Sequence, residues 1–254
     1  MILFIGLMTG LFGGFVGVGG AVVMIPFMVR GLKLTQHQAH GTSLVALVFT
    51  GIAGAITYAI EGSVDIVASV SLASTAIFTA PFGAHFANTL PEWKLKRYFG
   101  GFLLFVGILL IFKPYITPHS SPISGGEKIL ILLLSGVFTG FLSGMMGIGG
   151  STIMIPAMVL LLGMGQHIAQ GSSLLVMVPV GAAGAYVHNK LGNVMTRILP
   201  SLIAGILVGA FIGGTLASVL SDAALRFVFA IIMIWTGMNY LRVPAQKVKR
   251  SASC

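Results

Sequence analysis

Residues 6–64 and 136–194 of this chain are two copies of one unit. They align without a gap at an offset of 130 residues, and 26 of the 59 aligned positions are identical. Gly10 to Pro26 reads GLFGGFVGVGGAVVMIP, and Gly140 to Pro156 reads GFLSGMMGIGGSTIMIP. A chain built this way must use one structural solution twice. Identity is densest at Gly17, Gly19, Gly20, Met24, Ile25 and Pro26 and at their partners Gly147, Gly149, Gly150, Met154, Ile155 and Pro156. Glycine and proline both oppose an uninterrupted helix, so the best-kept part of the unit is expected to be a break, with Pro26 and Pro156 among the breaking residues.

The surroundings of that break are apolar. Only 7% of residues are charged and the mean hydropathy is +1.03, against roughly 25% charged in a soluble domain. Long apolar stretches at about 2–29, 42–60, 66–90, 98–112, 129–162, 169–187, 198–220 and 225–241 approach the roughly 20 residues a membrane-crossing helix needs. No short alternating segments of the barrel type occur. The reading is an all-α integral membrane protein, multi-pass. The first stretch has no basic leader and no small-residue cleavage site, so it is expected to be mature structure. The only cysteine is Cys254, which leaves neither an intramolecular disulfide nor a thiolate metal site. The net charge of +9 sits in short loops and the KVKRSASC tail, which reads as topology and contact with anionic lipid and not as nucleic-acid binding.

Charge placement orients the copies. If every stretch crosses once, the copies share one orientation and a cytoplasmic C-terminus leaves eight Lys/Arg inside and six outside. If instead 2–30 and 128–163 each fold back at the Gly-Gly break, the copies become inverted. Inside then holds Arg30, Lys33, Lys94, Lys96, Arg97, Lys190, Arg197, Arg242, Lys247, Lys249 and Arg250, and only Lys113, Lys128 and Arg226 lie outside. Eleven against three is the bias expected of a membrane protein. As a single helix, 128–163 would also run about 52 Å against a hydrocarbon core of about 30 Å. The expected architecture is two inverted-topology repeats, each a Gly-broken helical hairpin plus about three transmembrane helices. Residues 1–113 form the first repeat and 114–127, PYITPHSSPISGGE, an extracytoplasmic linker; 128–242 form the second repeat and 243–254 a basic cytoplasmic tail.

Inverted repeats joined by broken helices are a recurring transporter architecture, with substrate held at the exposed ends of half-helices. Helices starting near Ala21 and Ser151 would present free N–H groups and positive dipole ends to an oxyanion. The simpler alternative is that these glycines only allow close helix packing. A second shared cluster, Gly41-Thr42-Ser43-Leu44 and Gly171-Ser172-Ser173-Leu174, either caps the following helix or donates to ligand oxygens. Gln36-His37 recurs as Gln166-His167, and these residues are candidates for a gate or a polar lining. His37-x-x-His40 has metal-like spacing, yet no third histidine or nearby carboxylate completes a site, so no metal is expected. His85 is a candidate polar contact or proton site, or a packing histidine.

All five acids, Glu61, Asp65, Glu92, Glu127 and Asp222, sit in loops or at segment ends. That argues against a cation pump and against intramembrane hydrolysis, and no phosphate-binding loop for ATP is present. No enzyme activity and no cofactor are expected.

The segments GGFVGVGGAVVMIPFM and GMMGIGGSTIMIPAMV, each followed by an Ala-x-Gly-Thr/Ser-Ser-Leu run, resemble the paired motifs of the TauE/SafE family. The resemblance covers nearly the whole chain. It implies a permease for small sulfur-containing anions such as sulfite or an organosulfonate, in the inner (cell) membrane of a bacterium. It also implies an anion site around Gly19, Gly20, Thr42 and Ser43 and around Gly149, Gly150, Ser151, Ser172 and Ser173. Partners are then a small anionic substrate and membrane lipid, and exposed apolar faces permit a homodimer. An anion channel, or a carrier of another small organic anion, is the alternative.

Overall fold

The computed structural model describes residues 1–87, 92–116, 125–146 and 150–242, all in helices and short connections. The first copy supplies α1 (Ile2–Val16), α2 (Ala21–Gly31), α3 (Gln36–Ile60), α4 (Ile66–Ala87) and α5 (Glu92–Ile116). The second supplies α6 (Gly126–Met146), α7 (Ser151–Pro156), α8 (Gln166–Lys190), α9 (Leu199–Ser218) and α10 (Asp222–Leu241). A π-turn over Ala157–Leu161 extends α7, and a 3-10 turn over Thr196–Ile198 leads into α9. Among the described residues six segments are long and apolar enough to cross a membrane: Gln38–Ile60, Ile66–Gly83, Gly126–Gly144, Gln166–Lys190, Thr196–Ser218 and Asp222–Leu241. Large side chains such as Phe78, Phe82, Phe138 and Trp235 are exposed on the outside, the distribution expected where lipid is the solvent.

Local chemistry sets the helix ends. Thr35 and Gln38 form a reciprocal capping box at the start of α3, Asp65 accepts the Ala68 amide at the start of α4, and Ser221 accepts the Ala224 amide at the start of α10. The duplicated glycines do the opposite. Gly17, Gly19 and Gly20 have φ of 75°, 72° and 72°, and Gly150 has φ of 71°, a left-handed conformation that disfavours any residue with a Cβ. The chain therefore turns back on itself: a Cβ on Gly20 would lie 2.6 Å from Thr9 Cγ2, and one on Gly150 would lie 2.8 Å from Thr139 Cγ2. The breaks come at the glycines, and α2 continues as helix through Pro26. Pro156 stands where α7 gives way to the π-turn.

The copies pack by exchanging partners. Helix α1 lies along α9, and its counterpart α6 lies along α4. A Cβ on Gly10 would overlap the Ile206 carbonyl, and one on Gly140 the Ala76 carbonyl. Lipid offers no hydrophobic drive for helix pairing, so such close backbone approach supplies the attraction by dispersion. Contacts of Gly6 with Leu202, Gly10 with Ile206 and Gly14 with Ala210 advance together along both chains, so α1 and α9 are parallel. The equivalent helices α3 and α8 instead run antiparallel. Gly51 faces Leu174 and Gly181 faces Leu44, a pair of contacts that the 130-residue offset converts into each other. Helices α5 and α10 are likewise antiparallel, with Gly100 against Gly237 and Gly107 against Ala230. The proposed linker, tail and Gly149 fall largely or wholly on residues outside those described.

Candidate functional site

The two breaks converge on Met177 of α8. A Cβ on Gly19 would overlap the Met177 methyl and the Leu47 side chain, and the Ser151 hydroxyl lies 2.9 Å from Met177 Sδ. Leu47 and Met177 are themselves equivalent positions, in α3 and α8. Around this junction the helical ladders begin at Gly20, which accepts from Val23 and Met24, and at Gly150, which accepts from Ile153 and Met154. The amides of Ala21 and Ser151 thus lie upstream of the first helical bonds, both in fully buried residues.

The hydroxyl motifs lie one to two turns inside α3 and α8, past their N-termini. Thr42 accepts from the Met195 amide at 3.0 Å, and Ser172 accepts from the Asp65 amide at 2.9 Å. Ser43 donates to the His40 carbonyl at 2.8 Å. The Ser173 hydroxyl lies 2.8 Å from the Gln170 carbonyl and 3.2 Å from that of Gly17, at the first break. All four are fully buried. Beside them Tyr58 donates to Gln170 Oε1 at 2.7 Å.

The remaining candidates are dispersed. Gln166 is buried, and neither side-chain amide atom has a partner among the described residues. His167 joins helices, with Nδ1 against Asp222 of α10 and Nε2 3.1 Å from the Ala217 carbonyl of α9. His85 is exposed and lines an outward-facing apolar recess with Pro81, Phe82, Phe86 and Phe141, apart from the breaks. The side chains of Gln36 and His37 lie outside the described residues. No group of three or more His, Cys, Asp or Glu forms among the described residues. The named neighbours of the breaks, Leu47, Met177, Thr9, Thr139, Ser143 and Gln170, carry no formal charge, so an anion there would be held by dipoles and hydroxyls.

Sequence reasoning passed over Thr9 and Thr139, Tyr58 and Gln170, and the ion pair between Lys128 and Asp65 that ties α6 to the start of α4. Thr9 and Thr139 were detectable, being one of the identical pairs in the alignment. The other contacts join residues far apart in the chain and leave no local pattern.

A family model described as Sulfite exporter TauE/SafE matches residues 2–240. "Probable membrane transporter protein YdhB" of Bacillus subtilis (strain 168) is 25% identical over 231 residues, covering 89% of this chain and 93% of that protein. A "Probable membrane transporter protein" of Xylella fastidiosa (strain 9a5c) is 28% identical over 237 residues, covering 91% and 88% respectively. No solved structure gives a significant match.

Proposed function

The chain belongs to the Sulfite exporter TauE/SafE family, a multi-pass membrane transporter by its relatives and its apolar helices, and we propose that it carries a small sulfur-containing oxyanion by alternating access. The observation that carries this reading is the meeting of the two glycine breaks at Met177. Two half-helix starts then serve one buried, uncharged junction, the arrangement in which transporters hold anionic groups. Gly19, Gly20, Gly150 and Ser151 form the core of the site; Ser173 reaches the first break through the Gly17 carbonyl, while Thr42, Ser43 and Ser172 hold the backbone of Met195, His40 and Asp65.

The two copies lie inverted across the membrane, with the C-terminus cytoplasmic. Antiparallel packing of α3 on α8 and of α5 on α10 supports this, because four crossings per copy in a common orientation would make equivalent helices parallel. The eleven-to-three charge bias points the same way. Alternating access follows when the exchanged pairs α1/α9 and α4/α6 rock against the α3/α8 pair, exposing the junction to each side in turn.

Counterflow in proteoliposomes tests the function. Vesicles preloaded with sulfite are expected to accumulate external labelled sulfite transiently, beyond protein-free vesicles. Rapid equilibration without counterflow would indicate a channel. No flux of sulfite, sulfoacetate, sulfate or thiosulfate above that of protein-free vesicles would reject the substrate class.

A further inference from the structure

A helix hydroxyl buried away from water ordinarily spends its proton on the carbonyl one turn back. Thr50 does so to Ala46 at 3.1 Å and Thr57 to Ala53 at 2.9 Å. Thr9 of α1 and Thr139 of α6 do not. Both are 0% exposed, and neither hydroxyl has a partner among the described residues. They occupy the same position in the two copies, and the methyl of each rests against the glycine that starts its own half-helix, Gly20 or Gly150. Thr152, in the first turn of α7, is a third buried hydroxyl without a partner among the described residues. It lines a cavity of about 10 Å³ together with Val18 of the first break and Thr236 of α10.

An unsatisfied hydroxyl in a dry interior is destabilising, so three of them beside the two breaks require an explanation. We propose that Thr9, Thr139 and Thr152 donate hydrogen bonds directly to the transported oxyanion. This assignment rests on the anion-transport reading above and relocates its side-chain contacts. Ser43 and Ser173 are poorly placed for the same task, because their protons already go to backbone carbonyls. The two half-sites are unequal: the second copy has Ser151 and Thr152 where the first has Ala21 and Val22, so the anion is held mainly by the second break. A cavity of about 10 Å³ has room for about one water, so the anion binds when the two halves part.

Sulfite binding to the purified full chain in nanodiscs tests this, using Thr9→Val, Thr139→Val and Thr152→Val with Thr9→Ser and Thr139→Ser as hydroxyl-retaining controls. Each valine variant is expected to keep or raise the ligand-free melting temperature and to weaken sulfite binding roughly tenfold or more, the usual worth of one hydrogen bond to a charged group. The serine variants are expected to bind like wild type. Valine variants that bind like wild type, or that melt early or fail to fold without ligand, would overturn the assignment, the latter because the hydroxyls would then be holding the fold. If wild type itself binds none of sulfite, sulfate or sulfoacetate, the transport reading fails. If wild type binds and the valine variants are unaffected, only the threonine assignment fails.

Discussion

The Ser172 hydroxyl accepts the Asp65 amide at 2.9 Å, and the offset of 130 residues turns this contact into its twin, the Thr42 hydroxyl accepting the Met195 amide at 3.0 Å. In each case the hydroxyl belongs to one copy and the amide to the other. The copies are therefore stitched together at equivalent positions, through the first hydroxyl of each Gly-Thr/Ser-Ser-Leu run.

Removing either hydroxyl leaves a buried or half-buried amide without its acceptor. Thr42→Val and Ser172→Ala are each expected to cost about 1–2 kcal/mol, and by similar amounts, since the contacts are equivalent. Melting of the detergent-solubilised variants checks this. A large cost at one site with none at the other would contradict the equivalence.

Helices α1 and α9 approach too closely for a side chain. Gly10→Ala is expected to destabilise by about 1–3 kcal/mol through overpacking against the Ile206 carbonyl. Gly101→Ala, where no atom of the described residues lies within 4 Å of the added carbon, is expected to be neutral or to stabilise by up to about 1 kcal/mol through helix propensity. The ordering of the two melting temperatures is the readout.

Asp65 does two jobs at the head of α4. One carboxylate oxygen accepts the Ala68 amide at 2.9 Å, and the other pairs with Lys128. Burial alone would raise its pKa, but the Lys128 ammonium and the amides of Ala68 and Val67 together outweigh burial and hold it below the ordinary value of 3.8. A carboxyl with a depressed folded pKa contributes stability that is full above its unfolded value and is lost as pH falls through the folded one. Asp65→Ala is expected to cost about 1–2 kcal/mol near neutral pH. The gap between wild type and Asp65→Asn should be constant above about pH 5 and narrow in more acidic buffer. A gap that does not change with acidification would mean that the Lys128 pair is energetically idle.

The proposed inversion of the copies puts Thr35 and Ser221 on opposite sides of the membrane. With Cys254→Ser as background, Thr35→Cys is expected to react with an impermeant maleimide only from the cytoplasmic side, and Ser221→Cys only from the other. Both positions are exposed in the fold. Labelling of both from one side would reject the inverted arrangement.

Much of the fold could be read before any coordinates, and for identifiable reasons. Helix starts at Ala21 and Ser151 followed from glycines whose left-handed conformation a helix cannot absorb. Pro26 does not break the chain: it sits inside α2, where the helix continues past the lost hydrogen bond, whereas Pro156 stands at the end of α7. His85 attracted notice as a histidine in an apolar segment, yet a helix has an outward face as well as an inward one, and His85 is on the outward one. Periodicity was too weak in these uniformly apolar helices to tell the two faces apart.

The sequence by itself determined that this is a membrane protein of duplicated units, broken at paired glycines, because hydropathy and backbone freedom are properties of single residues and short runs. Only the tertiary structure decided which hydroxyls are committed. Whether Ser172 meets a ligand or the Asp65 amide depends on where a residue 107 positions away comes to rest. The same is true of Thr9 and Thr139, whose hydroxyls stay unsatisfied because the chain folds back over them at Gly20 and Gly150. Hydrogen bonds act over a few ångströms, and only packing sets which groups come that close.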